Sequence, residues 1–314
     1  MRTGRLLAEQ GVRRLIVVDN GSPPEDLEVV RAGLPGVEMV ELGANTGFGP
    51  AANAGLRRWL EGGDRAGEWA LVCPHDAVPE AGCVDRLVAA TAARSRAGLA
   101  SAEYGEDHRL AKPVVDRYFG GILAPSERRP GWEDAGHPHG TLLLARRACL
   151  DEIGLFDERY FAYCEEADLG ERARRAGWQV GIVWGAVVRN PGMTSEVGVA
   201  EYLMLRNSLL LVRSHFGRYP AFIRFTMALW VTAKGALRPR WRTPFWHLPA
   251  RRVALRDYLL GRWGPPPASL CRRSSFQERK RVCEAPLGPV PSPLPSGKMR
   301  KVWRTERSSA RSAM

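Results

Sequence analysis

The chain has 314 residues, 45% hydrophobic and 25% charged, enough for one sizeable α/β domain plus an appendage, or for two small domains. Its six cysteines (Cys73, Cys83, Cys149, Cys164, Cys271, Cys283) form no Cys-x-x-Cys pair, which argues against a zinc site or a disulfide framework and fits a reducing compartment. Neither an apolar signal segment nor an apolar run long enough to span a bilayer is present. Charge is unevenly spread: residues 1–215 hold 25 Lys/Arg and 30 Asp/Glu, a balance of −5, whereas residues 216–314 hold 21 and 4, a balance of +17. A basic extension of this kind suits an anionic membrane face or nucleic acid. The tail lacks a nucleic-acid-binding module and has few aromatics beyond Trp263, so no specific nucleic acid is expected.

In chain order, a short helix over Arg5 to Gln10 precedes Arg14-Leu-Ile-Val-Val-Asp-Asn20, a β-branched run that reads as a buried parallel strand. Asp19 stands at its carboxyl end, where open α/β sheets bind ligands; an Asp-Asn-Gly-Ser sequence equally forms a turn. A helix (Glu25 to Gly33) and a strand (Val37 to Leu42) lead to Gly43-Ala-Asn-Thr-Gly-Phe-Gly-Pro-Ala-Ala-Asn-Ala-Gly55 and a helix over Pro50 to Leu60. Small residues there allow a tight loop and close helix packing, and Asn45 and Asn53 either meet a ligand or cap. The spacing is neither GxGxxG nor a P-loop.

The strand Trp69 to Cys73 ends in Pro74-His75-Asp76. Asp76 either ligates a hard cation on a phosphate or caps a helix over Pro79 to Ala93. Residues 100–140 read as loops and close on His137-Pro-His-Gly140, half of a metal site without a second half. A strand (Thr141 to Ala145) and a helix (Arg147 to Ile153) precede Phe156-Asp-Glu-Arg-Tyr-Phe-Ala-Tyr-Cys-Glu-Glu-Ala-Asp-Leu169. There Glu165, Glu166 and Asp168 crowd the first turn of a helix running to Gly177. Carboxylates so close push one another's pKa values apart, as a general base requires; otherwise they pair with Arg172 or Arg175. A strand (Trp178 to Trp184), a loop at Arg189-Asn190 and a helix over Val199 to His215 follow. Tyr219 to Leu237 is apolar with basic flanks and suits a membrane interface. Beyond Pro265 the Pro-, Ser- and Arg-rich composition predicts disorder.

Four elements taken together resemble a glycosyltransferase of family 2, rhamnosyltransferase-like in kind: Val17-Val-Asp-Asn-Gly-Ser22, Asn45-Thr-Gly-Phe-Gly-Pro-Ala-Ala-Asn-Ala-Gly55, the strand ending at Asp76, and Gly154 to Leu169 with Arg172 and Gly177-Trp178. The helix with Tyr202 and Arg206-Asn207 matches as well. The resemblance implies the glycosyltransferase-A fold, a Rossmann-like mixed α/β sheet, and inverting transfer from a nucleotide diphosphosugar such as dTDP-rhamnose to a cell-envelope or lipid-linked glycan. It gives Asp19, Asn20, Asn45, Gly47, Asn53, Asp76 and Arg189 to the donor, and Mg²⁺ or Mn²⁺ to Asp76. Pro74 stands where the first Asp of the family's Asp-x-Asp motif would be. Glu166 takes the place of the catalytic base, with Glu165 and Asp168 shaping the acceptor site.

The implied organisation is a catalytic domain over 1–217, a basic amphipathic segment over 218–264 and a disordered tail over 265–314. The enzyme would work in the cytoplasm, peripherally on the inner face of the plasma membrane. Against the family pattern the chain starts within the first helix, without a central strand and its nucleotide-holding loop. Open strand edges of that kind cost stability, and the alternative reading is an inactive remnant acting as a binding or scaffold protein.

Overall fold

The computed structural model describes residues 2–62, 67–105, 111–190, 196–243 and 245–270. Met1–Arg273 forms one compact unit; a second, Ser274–Met314, lies outside the described residues, and with it most of the tail expected to be disordered.

Among the described residues the strands form three sheets. In the first, β1 (Ile16–Asp19) and β2 (Glu38–Glu41) pair in parallel, Val17 opposite Met39. The second contains β3 (Trp69–Val72), β4 (Val78–Pro79), β5 (Ala97–Tyr104), β8 (Gly131–Asp134), β9 (Leu143–Arg146) and β10 (Gln179–Arg189). Its order is β3-β9-β5-β10-β4, with β8 also on β10; β5 and β10 run parallel, while β9 is antiparallel to both β3 and β5. The third is the hairpin β6 (Ala111–Asp116) and β7 (Gly120–Pro125), whose turn is held by Asp116 Oδ1 accepting from the N–H groups of Tyr118 and Phe119 at 2.7 and 2.9 Å.

Among the described residues β1 pairs only with β2, and β3 only with β9. Each therefore keeps one open edge among the described residues. Helix α1 (Arg2–Glu9) packs against the second sheet: Thr3 donates to the carbonyls of His75 and Ala77, and Leu7 packs with Ala77, Cys83 and Leu144. Helix α3 (Phe48–Leu60) touches both β1 and β3.

The remaining helices are α2 (Pro24–Gly33), α4 (Cys83–Ala92), α5 (Arg147–Ile153), α6 (Glu165–Arg175), α7 (Val197–Phe216), α8 (Arg218–Leu237) and α9 (Leu248–Leu259). One core cluster, with Trp59, Leu99, Leu143, Phe156 and Leu169, lies under α3, α5 and α6. Another, with Leu203, Leu209, Ala228, Ala254 and Tyr258, joins α7, α8 and α9. No described helix is long and apolar enough to cross a membrane.

The stretch read as loops is the main difference from the sequence reading. Residues 97–104 are a central strand buried along almost its whole length. Its Ala- and Gly-rich composition carries little β propensity, but a Cβ at Gly98 would lie 2.6 Å from Cys149 Sγ, so packing demands small residues there. Likewise, β10 runs through Arg189 rather than ending at Trp184, crossing a register shift at Val183–Val187 beside Gly185 at φ 88°. Helix α4 starts at Cys83, after Val78–Pro79 has paired with β10.

Candidate active site

The acidic segment enters α6 through a strained turn. Tyr163 and Cys164 take φ of 68° and 74°, a left-handed conformation costing about 1–2 kcal/mol for each side-chain-bearing residue. The turn is held from outside: Asn207 on α7 donates to the carbonyls of Ala162 and Tyr163 at 2.8 and 2.9 Å. Beside it, Arg206 is wholly buried and donates to Asn207 Oδ1, the Tyr202 hydroxyl and the Gly264 carbonyl. Two groups tie Asn207 and Arg206 to one purpose, fixing the start of α6.

That start presents Glu165 and Glu166. Glu165 is 3% exposed and its Oε2 has no partner among the described residues. Burial, and then the charge of Glu166, push the Glu165 carboxyl well above the usual carboxylate range. Glu166 is half-buried and also raised by burial, against backbone N–H groups of its own residue and Gly140 that favour its anion. Of the pair, Glu166, with the backbone donors, is the one that ionises first. A Cβ at Gly140 would sit 2.3 Å from Glu166 Oε1, so any side chain there would displace that carboxylate.

The His137-Pro-His-Gly140 stretch meets this acid through the Gly140 backbone. His137 is kept neutral by burial, its pKa down to about 4, and His139 stacks on Tyr104 with ring centroids 5.3 Å apart. Among the described residues no three His, Cys, Asp or Glu side chains cluster to hold a metal.

The loops expected to receive a donor are joined to this acidic turn. Asp19 ends β1 and is 7% exposed; its carboxylate accepts from the N–H groups of Gly21 at 3.2 Å and Ser22 at 3.0 Å. Burial raises its pKa, but those hydrogen bonds outweigh it and leave the group below its ordinary value. Asn20 accepts from Thr46 N at 2.8 Å and donates to Asn45 Oδ1 and the Gly47 carbonyl. Gly47, at φ 101°, would place a Cβ 2.2 Å from the Phe161 carbonyl oxygen, and that oxygen accepts from Phe48 N at 2.7 Å. A continuous chain of contacts therefore runs from Asp19 through Asn20, Asn45 and Gly47 to Phe161, in the segment that leads into α6.

Other expected site residues are placed differently. Asn53 is 1% exposed and its amide is spent on the Phe156 backbone and Glu158; it braces the acidic segment rather than meeting a ligand. Asp168 pairs with Arg172 Nε at 2.8 Å and His215 Nε2 at 2.7 Å. It lines a cavity of about 540 Å³ with Asp157, Arg159, Arg175 and His215, and Glu166 is absent from its walls. Burial raises the Asp168 pKa, yet His215 and Arg172 together bring it below the ordinary value. Arg189 is exposed and ion-paired with Glu80 at 2.8 Å. Asp76 lies half-buried beyond β3, and among the described residues it has no hydrogen bond or ion pair.

The sequence reading gave no role to His215 or Gly140. A lone His at a helix end carries no spacing signal, and Gly140 was hidden beside two more conspicuous histidines.

No protein-family model matches the chain. It is 29% identical over 255 residues to N-acetylglucosaminyl-diphospho-decaprenol L-rhamnosyltransferase of Mycobacterium tuberculosis, in strains CDC 1551 / Oshkosh and ATCC 25618 / H37Rv, covering 70% of this chain and 81% of that protein. In structure it is similar to GalNAc-T7, crystallised with UDP, GalNAc and Mn²⁺, at a TM-score of 0.51 and 13% identity. That match covers 79% of this chain and 50% of the other, so the chain spans half of that protein's length. The chain thus has the glycosyltransferase-A fold and is similar in sequence to a rhamnosyltransferase.

Proposed function

We propose that the chain transfers a sugar, with inversion, from a nucleotide diphosphosugar to a glycan or lipid-linked acceptor of the cell envelope, with Glu166 as general base. The observation that carries this reading is the paired acid at the head of α6. One member is buried, with its carboxyl pushed well above the ordinary range; the other is half-buried, braced by the Gly140 N–H and set on a turn held by Asn207. Inverting transfer needs a single carboxylate of raised pKa within reach of the acceptor hydroxyl. Glu166 takes the hydroxyl proton as the acceptor oxygen bonds to the anomeric carbon and the bond to the diphosphate breaks. Asp19 and Asn45 stand by the nucleotide.

Mg²⁺ or Mn²⁺ fits Asp76 in kind. Hard cations of this class take one or two carboxylates plus phosphate oxygens and water rather than an all-protein cage, and Asp76 offers one uncommitted carboxylate. Such a cation would neutralise charge gathering on the departing diphosphate.

By likeness to the mycobacterial enzyme, dTDP-rhamnose and a polyprenyl-diphosphate-linked N-acetylglucosamine are the first pair to assay. An acceptor of that kind is presented at a membrane, so the enzyme works peripherally on the inner face of the plasma membrane. The test is donor binding by calorimetry beside transfer for Glu166→Gln, expected to keep the first and lose the second. A second reading, an inactive binding or scaffold protein, draws on the open edges of β1 and β3. Absence of both donor binding and transfer in the purified chain would favour it.

A further inference from the structure

Helix α8 is apolar on two opposite faces, and only one of them is covered. Its small inner residues, Pro220, Ala221, Ala228, Thr232 and Gly235, are buried against the helical layer of α7 and α9. About 180° away in helical phase, Tyr219, Phe222, Leu229, Trp230 and Leu237 are 71, 64, 46, 55 and 82% exposed. Thr226 and Ala233 complete that outer stripe, which contains no charged residue. The contiguous aromatic and aliphatic surface continues into Trp241, whose ring meets Trp230 edge-on at 6.2 Å. Exposed single hydrophobics are unremarkable, but a continuous stripe along a 20-residue helix marks a binding surface.

Charge identifies what it binds. From Phe216 to Arg256 the chain has nine Lys/Arg and no Asp/Glu. Arg218, Arg238, Arg240 and Arg242 are exposed around the stripe, and Lys234 lies at its margin with Nζ 3.8 and 4.0 Å from the Trp230 and Trp241 ring centres. An apolar face rimmed by cations, with Trp and Tyr at its border, is the pattern of a helix lying in the plane of an anionic lipid surface. A symmetric contact with a second copy would bring this rim against itself, cation to cation.

We infer that the outer face of α8 with the Trp241 turn docks the enzyme on anionic lipid headgroups, its aromatic side chains entering the headgroup–acyl boundary. The inner face of the same helix supports the acidic turn: Arg224 donates to Ser208 Oγ at 3.1 Å, and its charge acts on Cys164, the residue before Glu165. One helix thickness, about 10 Å, thus separates the lipid-facing stripe from the support of the proposed base. The inference rests on the transferase reading only for the acceptor that docking would serve.

The test uses the full chain, cosedimented with phosphatidylcholine vesicles with and without about a third phosphatidylglycerol. The wild type should bind only the anionic vesicles, and release as salt rises. Phe222→Glu with Leu229→Glu, both at exposed positions, should weaken that binding by about tenfold or more for each large side chain lost. The double variant should keep the wild-type circular dichroism and its transfer to a water-soluble acceptor. Phe222→Ser with Leu229→Ser adds no charge and should weaken binding in the same direction. Equal binding by variant and wild type, no binding by the wild type, or variants that alter only the oligomeric state would each overturn the inference. Vesicle binding is read without turnover, so a chain that docks but transfers nothing contradicts the transferase reading and leaves the docking surface standing.

Discussion

At the scale of single residues, the account depends on which of two adjacent acids carries the charge. Glu165 is the more deeply buried and is raised partly by the charge of Glu166, which places the anion on Glu166. Glu165→Gln should therefore fold and transfer, with the acid limb of kcat/KM close to that of the wild type. That limb should lie above the ordinary Glu value of about 4.3, since burial raises Glu166 and transfer requires its ionised form. A limb that moved down by a unit in Glu165→Gln would put the charge on the wrong residue. Gly140→Ala should lower kcat sharply, because its Cβ claims the position of Glu166 Oε1. Much of this was legible in sequence: three acids in one turn are conspicuous, and Glu166 was singled out. The different fate of Asp168 was not, because its partner His215 lies 47 residues away and no spacing rule joins them.

Elements show how the acids are held. Asp168, Arg172 and His215 link α6 to α7 at one end, and Asn207 links α7 to the turn before α6 at the other. Removing a partly buried ion-pair partner leaves uncompensated charge, at a cost of about 3 kcal/mol. Asp168→Asn should lower urea stability by roughly that amount at neutral pH. The folded pKa of Asp168 is depressed, so its contribution is present above the unfolded value and is lost as pH falls through the folded one. The gap between wild type and variant should accordingly close in acid; a gap unchanged down to strongly acid pH would contradict the assignment. Asn207→Ala should reduce kcat about 10- to 100-fold with donor binding kept, since a misplaced base costs rate rather than ground-state affinity. The type of most elements was readable from periodicity, with ends off by a few residues. β5 was not, because Ala and Gly in a central strand answer to packing against Cys149 and Trp178 rather than to local propensity.

Across the whole described molecule, the C-terminal helices act on the site rather than standing apart from it. Phe161, Ala162 and Tyr163 pack into the cluster that joins α7, α8 and α9, and Gly264 N donates to the Arg159 carbonyl. Glu201 on α7 and Arg251 on α9 form a buried ion pair within that layer. Charge asymmetry pointed to the basic character of this region, but composition could not reveal that α8 would cover one apolar face and leave its opposite bare. Nor could it show Asn53 bracing the acidic segment, since a capping Asn and a ligand-binding Asn look alike in sequence. The most direct measurement is transfer from a nucleotide diphosphosugar by wild type and Glu166→Gln, with donor affinity measured on the same samples. The account predicts unchanged affinity and a rate lower by about 10²–10⁴-fold in the variant. A Glu166→Gln enzyme that binds donor and transfers at the wild-type rate would contradict it.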